Sequence, residues 1–476
     1  MSVTIERVVS APPVAADVAE PALGGPAVGS APVVRRGYGR PLAPVLLLGV
    51  MLANVVAVTA GWIGHGGWPP EYGTASLFTA VGQITALWGT LAALVQILLV
   101  ARVPGLDGRF GMDRLVRWHR VVGFSLVVGL TVHMIASGIG WAASDGRGFV
   151  SEFFALNREH TSVLLATLGT VLLLVVAVTS MRFARKALSR EAWFFIHLLS
   201  YAMVGLSFPH IVQIGSDFDH HRWTTYYWVS IYLVVIAAVL WHRLGNPVRN
   251  HRRHRFTLTA TKVEAPGVLS LRVSGRQLHR FPVRPGQFVT LRFLHDGWRH
   301  RAHPYSISGV DDGSFRVTVK ALGDDSARVG QISKGTKIVV EGPYGAFTDR
   351  ARTAPKVLLI AGGIGITPAR LLFEHLHGEP GDITLLYRSS SADDLVFRRE
   401  LDAIARAKGH GIHYLLGSRT DHAETFTPDS LRHLIPDLVN HDVYICGPAE
   451  MVQTAVAGLR RAGVPARRIH AEDFSL

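Results

Sequence analysis

The chain has 476 residues, room for about three domains. Hydrophobic residues make up 48% and the mean hydropathy is +0.25, high for a soluble protein, yet the apolar residues concentrate between positions 42 and 245. A single cysteine excludes an intramolecular disulfide. The net charge of +14 sits largely in short stretches beside apolar segments, where membrane topology accounts for it better than nucleic-acid binding does.

Residues 1–40 are rich in Ala, Pro, Val and Gly without periodicity, and are expected to form a disordered tail. No signal-peptide pattern is present, because the first long apolar run begins near Leu42, after Arg35, Arg36 and Arg40. Six bilayer-length segments follow, at about 42–63, 77–101, 118–138, 162–181, 192–211 and 225–245. Basic residues cluster in the tail, in the second–third loop (Arg102, Arg109, Arg114, Arg117), in the fourth–fifth loop (Arg182, Arg185, Lys186, Arg190) and after the last span. The other loops carry few. The positive-inside rule then puts both termini, and everything after residue 246, in the cytoplasm of a multi-pass cell-membrane protein.

Two spans carry paired histidines. His119 and His133 lie fourteen residues apart in the third, and His197 and His210 thirteen apart in the fifth. Each separation spans about 20 Å of rise; fourteen residues is near four whole turns, so His119 and His133 project from one face, and His197 and His210 are expected to meet them. The two spans run in the same direction, which sets His119 level with His197 and His133 level with His210. Ionisable groups are costly in a span, and two stacked imidazole pairs form a bis-histidine ligand set for two b haems in series. His65, His160, His220 and His221 fall in external loops and read as solvated. Arg109 and Arg117 can meet haem propionates, although positive-inside anchoring accounts for them.

After Arg255 the texture changes. Short β-prone segments at 255–263, 267–273, 287–293, 314–321 and 336–341, separated by Pro/Gly turns, predict a small antiparallel barrel. From Lys356, strands at 357–361, 383–388, 413–416 and 443–446 alternate with helices from Pro368 and near 395–408, which predicts a doubly wound parallel sheet. The fold class expected is therefore multidomain: tail 1–40, an all-α six-helix bundle over 41–246, the antiparallel barrel over 250–352, and an α/β nucleotide-binding domain over 353–476.

Two motifs close strands of the last domain. Gly362-Gly363-Ile364-Gly365-Ile366-Thr367-Pro368 follows an apolar strand; its glycines let backbone approach a pyrophosphate at a helix start, though the spacing is not the usual dinucleotide fingerprint. Tyr444-Ile445-Cys446-Gly447-Pro448 ends a later strand. On the barrel, His303-Pro304-Tyr305-Ser306 follows Pro285-Gly286-Gln287-Phe288 and precedes Gly323-Asp324-Asp325-Ser326.

These segments resemble the ferredoxin–NADP reductase family. His303-Pro304-Tyr305-Ser306 is similar to its R-P-x-S/T flavin motif with His in place of Arg, a form found in NADPH oxidases and ferric reductases. The resemblance implies that Tyr305 packs on the flavin ring, that Ser306 bonds near its N5, and that Gly323 and Ser326 meet the FAD pyrophosphate. It implies nicotinamide-nucleotide contacts for Gly362, Gly363, Gly365, Thr367, Pro368, Gly447 and Pro448, with Cys446 near the nicotinamide C4 and the C-terminal aromatic Phe474 covering the flavin. Arg388, at a strand end, can fork to the 2′-phosphate of NADPH, with Asp393 and Asp394 leaving NADH possible.

Taken with the spans, the resemblance extends from about 42 to 476: a ferric-reductase-type haem domain fused to an FAD and NAD(P)H module, as in the NADPH oxidase and ferric reductase superfamily. The implied activity moves electrons from NADPH through FAD and two haems to an external acceptor. Oxygen, giving superoxide, is the first expectation. Ferric iron, a quinone or a periplasmic protein are the alternatives.

Overall fold

The computed structural model describes residues 4–8, 43–68, 73–215, 222–299, 301–417 and 422–473. The chain divides into two compact units. One comprises Pro41–Val103 and Asp113–Arg243; the other comprises Pro104–Met112 and Leu244–Leu476 together with the N-terminal residues.

Six helices are long and apolar enough to cross a membrane: Leu46–Gly64, Thr74–Val100, Arg114–Asp145, Thr161–Ser180, Glu191–Ile214 and Trp223–His254. They are the six spans expected from hydropathy, and the protein is a multi-pass membrane protein. In the first unit large apolar side chains turn outward, with Val121, Phe124 and Phe195 at 65%, 73% and 68% exposure. Only lipid covers such a surface without cost. Between helices in lipid no hydrophobic drive remains, and small residues supply contact instead. A Cβ on Gly82 would collide with Ser137, and one on Gly140 would lie 2.5 Å from Thr79 Oγ1, so the second and third spans touch through glycine. The third helix runs over Met112–Asp145, longer at both ends than expected, because charged residues such as Asp113, Arg114 and Arg117 extend it past its apolar stretch.

The other unit holds two six-stranded sheets. An N-terminal strand β1 (Thr4–Val8) comes first in the chain. The barrel follows as β2 (Thr257–Ala265), β3 (Val268–Ser274), β4 (Phe288–Phe293), β5 (His303–Asp311), β6 (Ser314–Lys320) and β7 (Ile338–Tyr344). Its antiparallel order is β2-β3-β6-β5-β4-β7, and a bridge between Thr257 and Lys337 joins its two ends. Inward-facing Leu258, Leu271, Phe293, Phe315 and Ile338 form its core. Gly286 has φ +86°, and a Cβ there would run into the Phe347 carbonyl, so only glycine makes the turn into β4.

The second sheet comprises β8 (Lys356–Gly362), β9 (Ile383–Ser389), β10 (Gly411–Leu416), β11 (His441–Gly447) and β12 (Ile469–Asp473). The order is β1-β10-β9-β8-β11-β12, all parallel except β1. β8 is the first of the parallel strands, and the winding reverses between it and β11. Core residues fill both faces, Val357, Leu359 and Leu385 on one and Leu358, Ile360 and Ile445 on the other, as a sheet covered by helices requires.

Two boundaries differ from expectation. Thr4–Val8 is a strand rather than disordered tail: with β-branched Thr4, Ile5 and Val8 it pairs antiparallel with the open edge of β10, Thr4 opposite Leu416 and Val8 opposite Ile412. The rest of the tail expected over 1–40 lies outside the described residues. Pro104–Met112, between the second and third spans, groups with the barrel and not with the helices. Its Asp107 is fully buried and accepts the Gly345 N–H at 2.8 Å, a partner far away in sequence.

The barrel and the nucleotide sheet share one ion network. Glu400 accepts from both terminal nitrogens of Arg316 on β6, each at 2.8 Å, and from Arg370 Nε at 3.0 Å. Both guanidinium groups also donate to the Ser308 carbonyl at 3.2 Å. Burial alone would raise the Glu400 carboxyl, but the hydrogen bonds and charge of Arg316, with Arg370 and Lys262, hold it below its ordinary range. A depressed carboxylate stabilises above its unfolded pKa and loses that contribution as pH falls through the folded value. Glu400→Gln is expected to cost about 2 kcal/mol at neutral pH and to flatten the loss of stability below about pH 4; thermal denaturation at pH 7 and pH 4 checks both.

Candidate functional site

The paired histidines lie on two helices of the spanning unit, His119 and His133 on Met112–Asp145 and His197 and His210 on Arg190–Ile214. Ring centroids of His119 and His197 are 6.0 Å apart at an interplanar angle of 56°, and those of His133 and His210 are 6.1 Å apart at 58°. The structure thus brings together the same two pairs that span direction suggested. In each pair one ring is held by the second span: His119 Nδ1 faces the Gln96 carbonyl at 3.1 Å, and His133 Nδ1 faces the Gly82 carbonyl at 2.9 Å. A carbonyl only accepts, so Nδ1 carries the proton and Nε2 keeps its lone pair for a metal. Two metal–nitrogen bonds of about 2 Å in line put facing ring centres about 6 Å apart. The spacing fits a bis-imidazole site in both places.

The partner rings are held differently. His197 stacks on Trp193 at 4.8 Å, and the Arg185 guanidinium covers the same indole at 4.7 Å. The i, i+4 spacing of Trp193 and His197 was the available signal for that support. His210 follows Pro209, which leaves one N–H missing from a helix that continues to Ile214, and its enclosed Nδ1 has no hydrogen-bond partner among the described residues. His220 and His221 lie outside the described residues.

The barrel motif opens β5. Its strand pairs with β4, Ser306 opposite Phe288 and His303 opposite Leu291. His303 Nε2 lies 3.4 Å from Asp325 Oδ2, and Arg301 pairs with the same carboxylate. Trp298 meets the His303 ring edge-on at 5.9 Å, and Tyr305 lies 6.2 Å beyond it. Burial, and then the Asp325 charge, push the Tyr305 hydroxyl above the usual phenol range. Ser326 Oγ accepts the N–H groups of Leu322 and Gly323 at 2.9 and 3.0 Å, closing the Gly323-x-x-Ser326 turn. Asp325 had no role in the sequence argument. It ties His303 to that turn, so imidazole and turn form one assembly. Gln287 anchors the strand from the other side, its carbonyl accepting from Ile307 N at 3.0 Å.

The two nucleotide motifs, some eighty positions apart, meet at the C-terminal ends of β8 and β11, where the winding reverses. That crevice is where doubly wound sheets take their ligands. Gly363 adopts φ +54°. A Cβ on Gly365 would strike the Cys446 carbonyl, and Cβ atoms on Gly362 and Gly447 would each crowd Met451. Thr367 Oγ1 donates to the Ile364 carbonyl at 2.9 Å and, with Pro368, is buried at the start of the helix Ile366–His375. Cys446 is fully buried, and Gly447-Pro448 leads into the helix Ala449–Arg461. Arg388 pairs in register with Gly362 and is 5% exposed, so it is not a solvated side chain. β12 carries the backbone to Asp473, opposite Gly447; Phe474 lies outside the described residues.

Residues 85–208 match the family described as ferric reductase like transmembrane component, and residues 359–457 match the oxidoreductase NAD-binding domain. Among curated proteins, the glycine betaine monooxygenase reductase subunit of Chromohalobacter salexigens is 29% identical over 41% of this chain and 56% of its own. The ferredoxin reductase component of 3-ketosteroid-9-alpha-monooxygenase from Rhodococcus rhodochrous is 30% identical over 41% and 57%. An NADPH oxidoreductase of Mycobacterium tuberculosis is 28% identical over 49% and 63%. The chain thus spans little more than half the length of these relatives.

Overpacking a tight contact costs about 1–3 kcal/mol. Gly365→Ala is therefore expected to part β8 from β11 and weaken nicotinamide-nucleotide binding about tenfold while flavin content holds. Nucleotide titration of the purified variant measures this, and an unchanged affinity would place the nucleotide elsewhere.

Proposed function

From a chain that joins a ferric-reductase-like transmembrane component to an NAD-binding reductase module, the fused architecture of ferric reductases and NADPH oxidases, we propose a transmembrane oxidoreductase that carries electrons from cytoplasmic NADPH to an external acceptor. The observation that carries this reading is the pair of facing imidazole couples, at 6.0 and 6.1 Å, inside the spanning unit of a chain that also bears flavin and nucleotide motifs. Two b haems and FAD, when bound, supply the step from a two-electron hydride donor to a one-electron acceptor.

The protein's own residues bind and orient. His119 with His197 would hold a haem toward the cytoplasmic side, and His133 with His210 one toward the outside. The carbonyls of Gln96 and Gly82 fix the tautomer of one ring in each pair. His303, Pro304, Tyr305 and Ser306 would line the flavin, with Gly323 and Ser326 at its pyrophosphate. The turn from Gly362 to Pro368, with Cys446, Gly447 and Pro448, would seat the nicotinamide nucleotide. Arg388 would stand at its 2′-phosphate end, and Phe474 would cover the flavin face. Basic loops at Arg102–Arg117 and Arg182–Arg190 support cytoplasmic placement of both termini and of the reductase module.

Oxygen is the acceptor we favour, each NADPH reducing two molecules to superoxide with release of one proton. Because His119 with His197, and His133 with His210, would each supply two nitrogens to a haem, the protein is arranged to pass electrons on rather than to bind oxygen at the iron. The ferric-reductase description of residues 85–208 favours a ferric chelate as the second reading. Cytochrome c reduction sensitive to superoxide dismutase, measured beside ferric-chelate reduction with the same NADPH supply, separates them. Rapid NADPH oxidation without superoxide would count against the oxidase reading. His210→Ala is expected to lose the outer haem while NADPH-dependent dye reduction by the soluble module survives; a purified variant that kept two haems per chain would overturn the ligand assignment.

A further inference from the structure

A cationic cavity lies in the second unit, away from the flavin and nucleotide motifs. It measures about 950 Å³ and is lined by His251, Arg252, Arg255, Ser274, Arg276 and Lys337, among others; none of its lining residues is acidic. Three separate stretches of sequence build it. The helix Asn246–His254 ends with Arg255 in a left-handed conformation, φ +47°, which turns the chain sharply into β2. His254 is buried beneath, stacked on Phe256 at 5.2 Å, and its Nδ1 bonds the Arg276 carbonyl at 2.9 Å while its own carbonyl accepts from Arg276 N at 2.6 Å. The Thr257–Lys337 bridge brings in the third stretch.

Positive-inside bias explains the basic residues that follow the last span. It does not explain Arg276 and Lys337, which lie in the barrel sequence and yet converge on the same opening. Arg252, Arg255, Arg276 and Lys337 make no ion pair among the described residues, so their mutual repulsion is uncompensated by the protein. A separate sign is His251 Nδ1, which is enclosed and without a hydrogen-bond partner among the described residues. Multiple unpaired cations, an orphaned ring nitrogen and a hydroxyl around one opening call for a multiply charged oxyanion.

We propose that this cavity binds a phosphate group, and that the phosphate is carried by the head group of an anionic phospholipid. The lining begins at the C-terminal end of the last spanning helix, Trp223–His254, where clustered cations meet anionic head groups. A free phosphate is the same chemistry from another source, and the test separates the two.

The test uses the full chain in detergent, with thermal midpoint and lipid retention by native mass spectrometry as readouts. Short-chain phosphatidylglycerol is expected to raise the midpoint and stay bound, whereas phosphatidylcholine does neither. Arg276→Gln with Lys337→Gln is expected to weaken the phosphatidylglycerol effect at least about tenfold, and added salt is expected to weaken it in the unaltered chain. Flavin content and NADPH-dependent dye reduction report that the variant is folded, and Lys337→Gln alone repeats the test with a smaller change. A response to pyrophosphate but not to phosphatidylglycerol would overturn the lipid source. No response to either, or equal responses from the double variant and the unaltered chain, would overturn the site.

Discussion

An imidazole placed among apolar helices must settle two ring nitrogens without water, and the spanning unit is arranged around that demand. Each unpaired polar group in such surroundings costs several kcal/mol in principle. For His119 and His133 one nitrogen is met by a main-chain carbonyl of the neighbouring span, at Gln96 and Gly82. The glycine contacts at Gly82 and Gly140 let that span come close enough to offer its carbonyl. The rings of each pair then stand 6.0 and 6.1 Å apart, centre to centre, a separation that leaves room for a metal ion between two ring nitrogens. The helix contacts and the proposed haem sites therefore answer one constraint.

The unit of two sheets solves a different problem, the assembly of distant motifs. Gly365 against the Cys446 carbonyl, and Met451 wedged over Gly362 and Gly447, lock two turns at the reversal of the sheet. On the barrel, Asp107 accepts from Gly345 N, the Gly345 carbonyl lies 3.5 Å from Gln287 Nε2, and the Gln287 carbonyl accepts from Ile307 N. This runs from the segment joining the second and third spans to the residue after Ser306. The segment Pro104–Met112 is thus hydrogen-bonded into the barrel, toward the strand that carries His303 to Ser306.

What could be read from the sequence follows the physics of each signal. Spans, their direction and the histidine pairing depend on local hydropathy and charge, and the six helices and both ring pairs lie where those patterns put them. Alternating strands and helices were equally local, so the parallel, doubly wound character of the second sheet was accessible. β1 and β12 were not, because each is short and forms by pairing with an edge that the sequence does not display. Asp107 and Asp325 were missed for the same reason. A carboxylate in a loop looks solvated until its partner, Gly345 N or His303, is known, and neither partner stands at a fixed spacing from it.

Arg388 shows how structure sharpens a choice that sequence leaves even. The residue type allowed either a grip on a 2′-phosphate or a solvated cation. Arg388 is 5% exposed and its backbone pairs with Gly362, so the solvated alternative is removed. A buried arginine keeps its charge and is costly unless its donors are engaged, so a phosphate arriving at this strand end would meet a fork already oriented. The planar fork loses little freedom in taking a new acceptor, whereas a lysine at the same position would have to be ordered first. If the nucleotide lies at this strand end as proposed, a 2′-phosphate could return what the arginine gives up with two charged oxygens, and a 2′-hydroxyl could not.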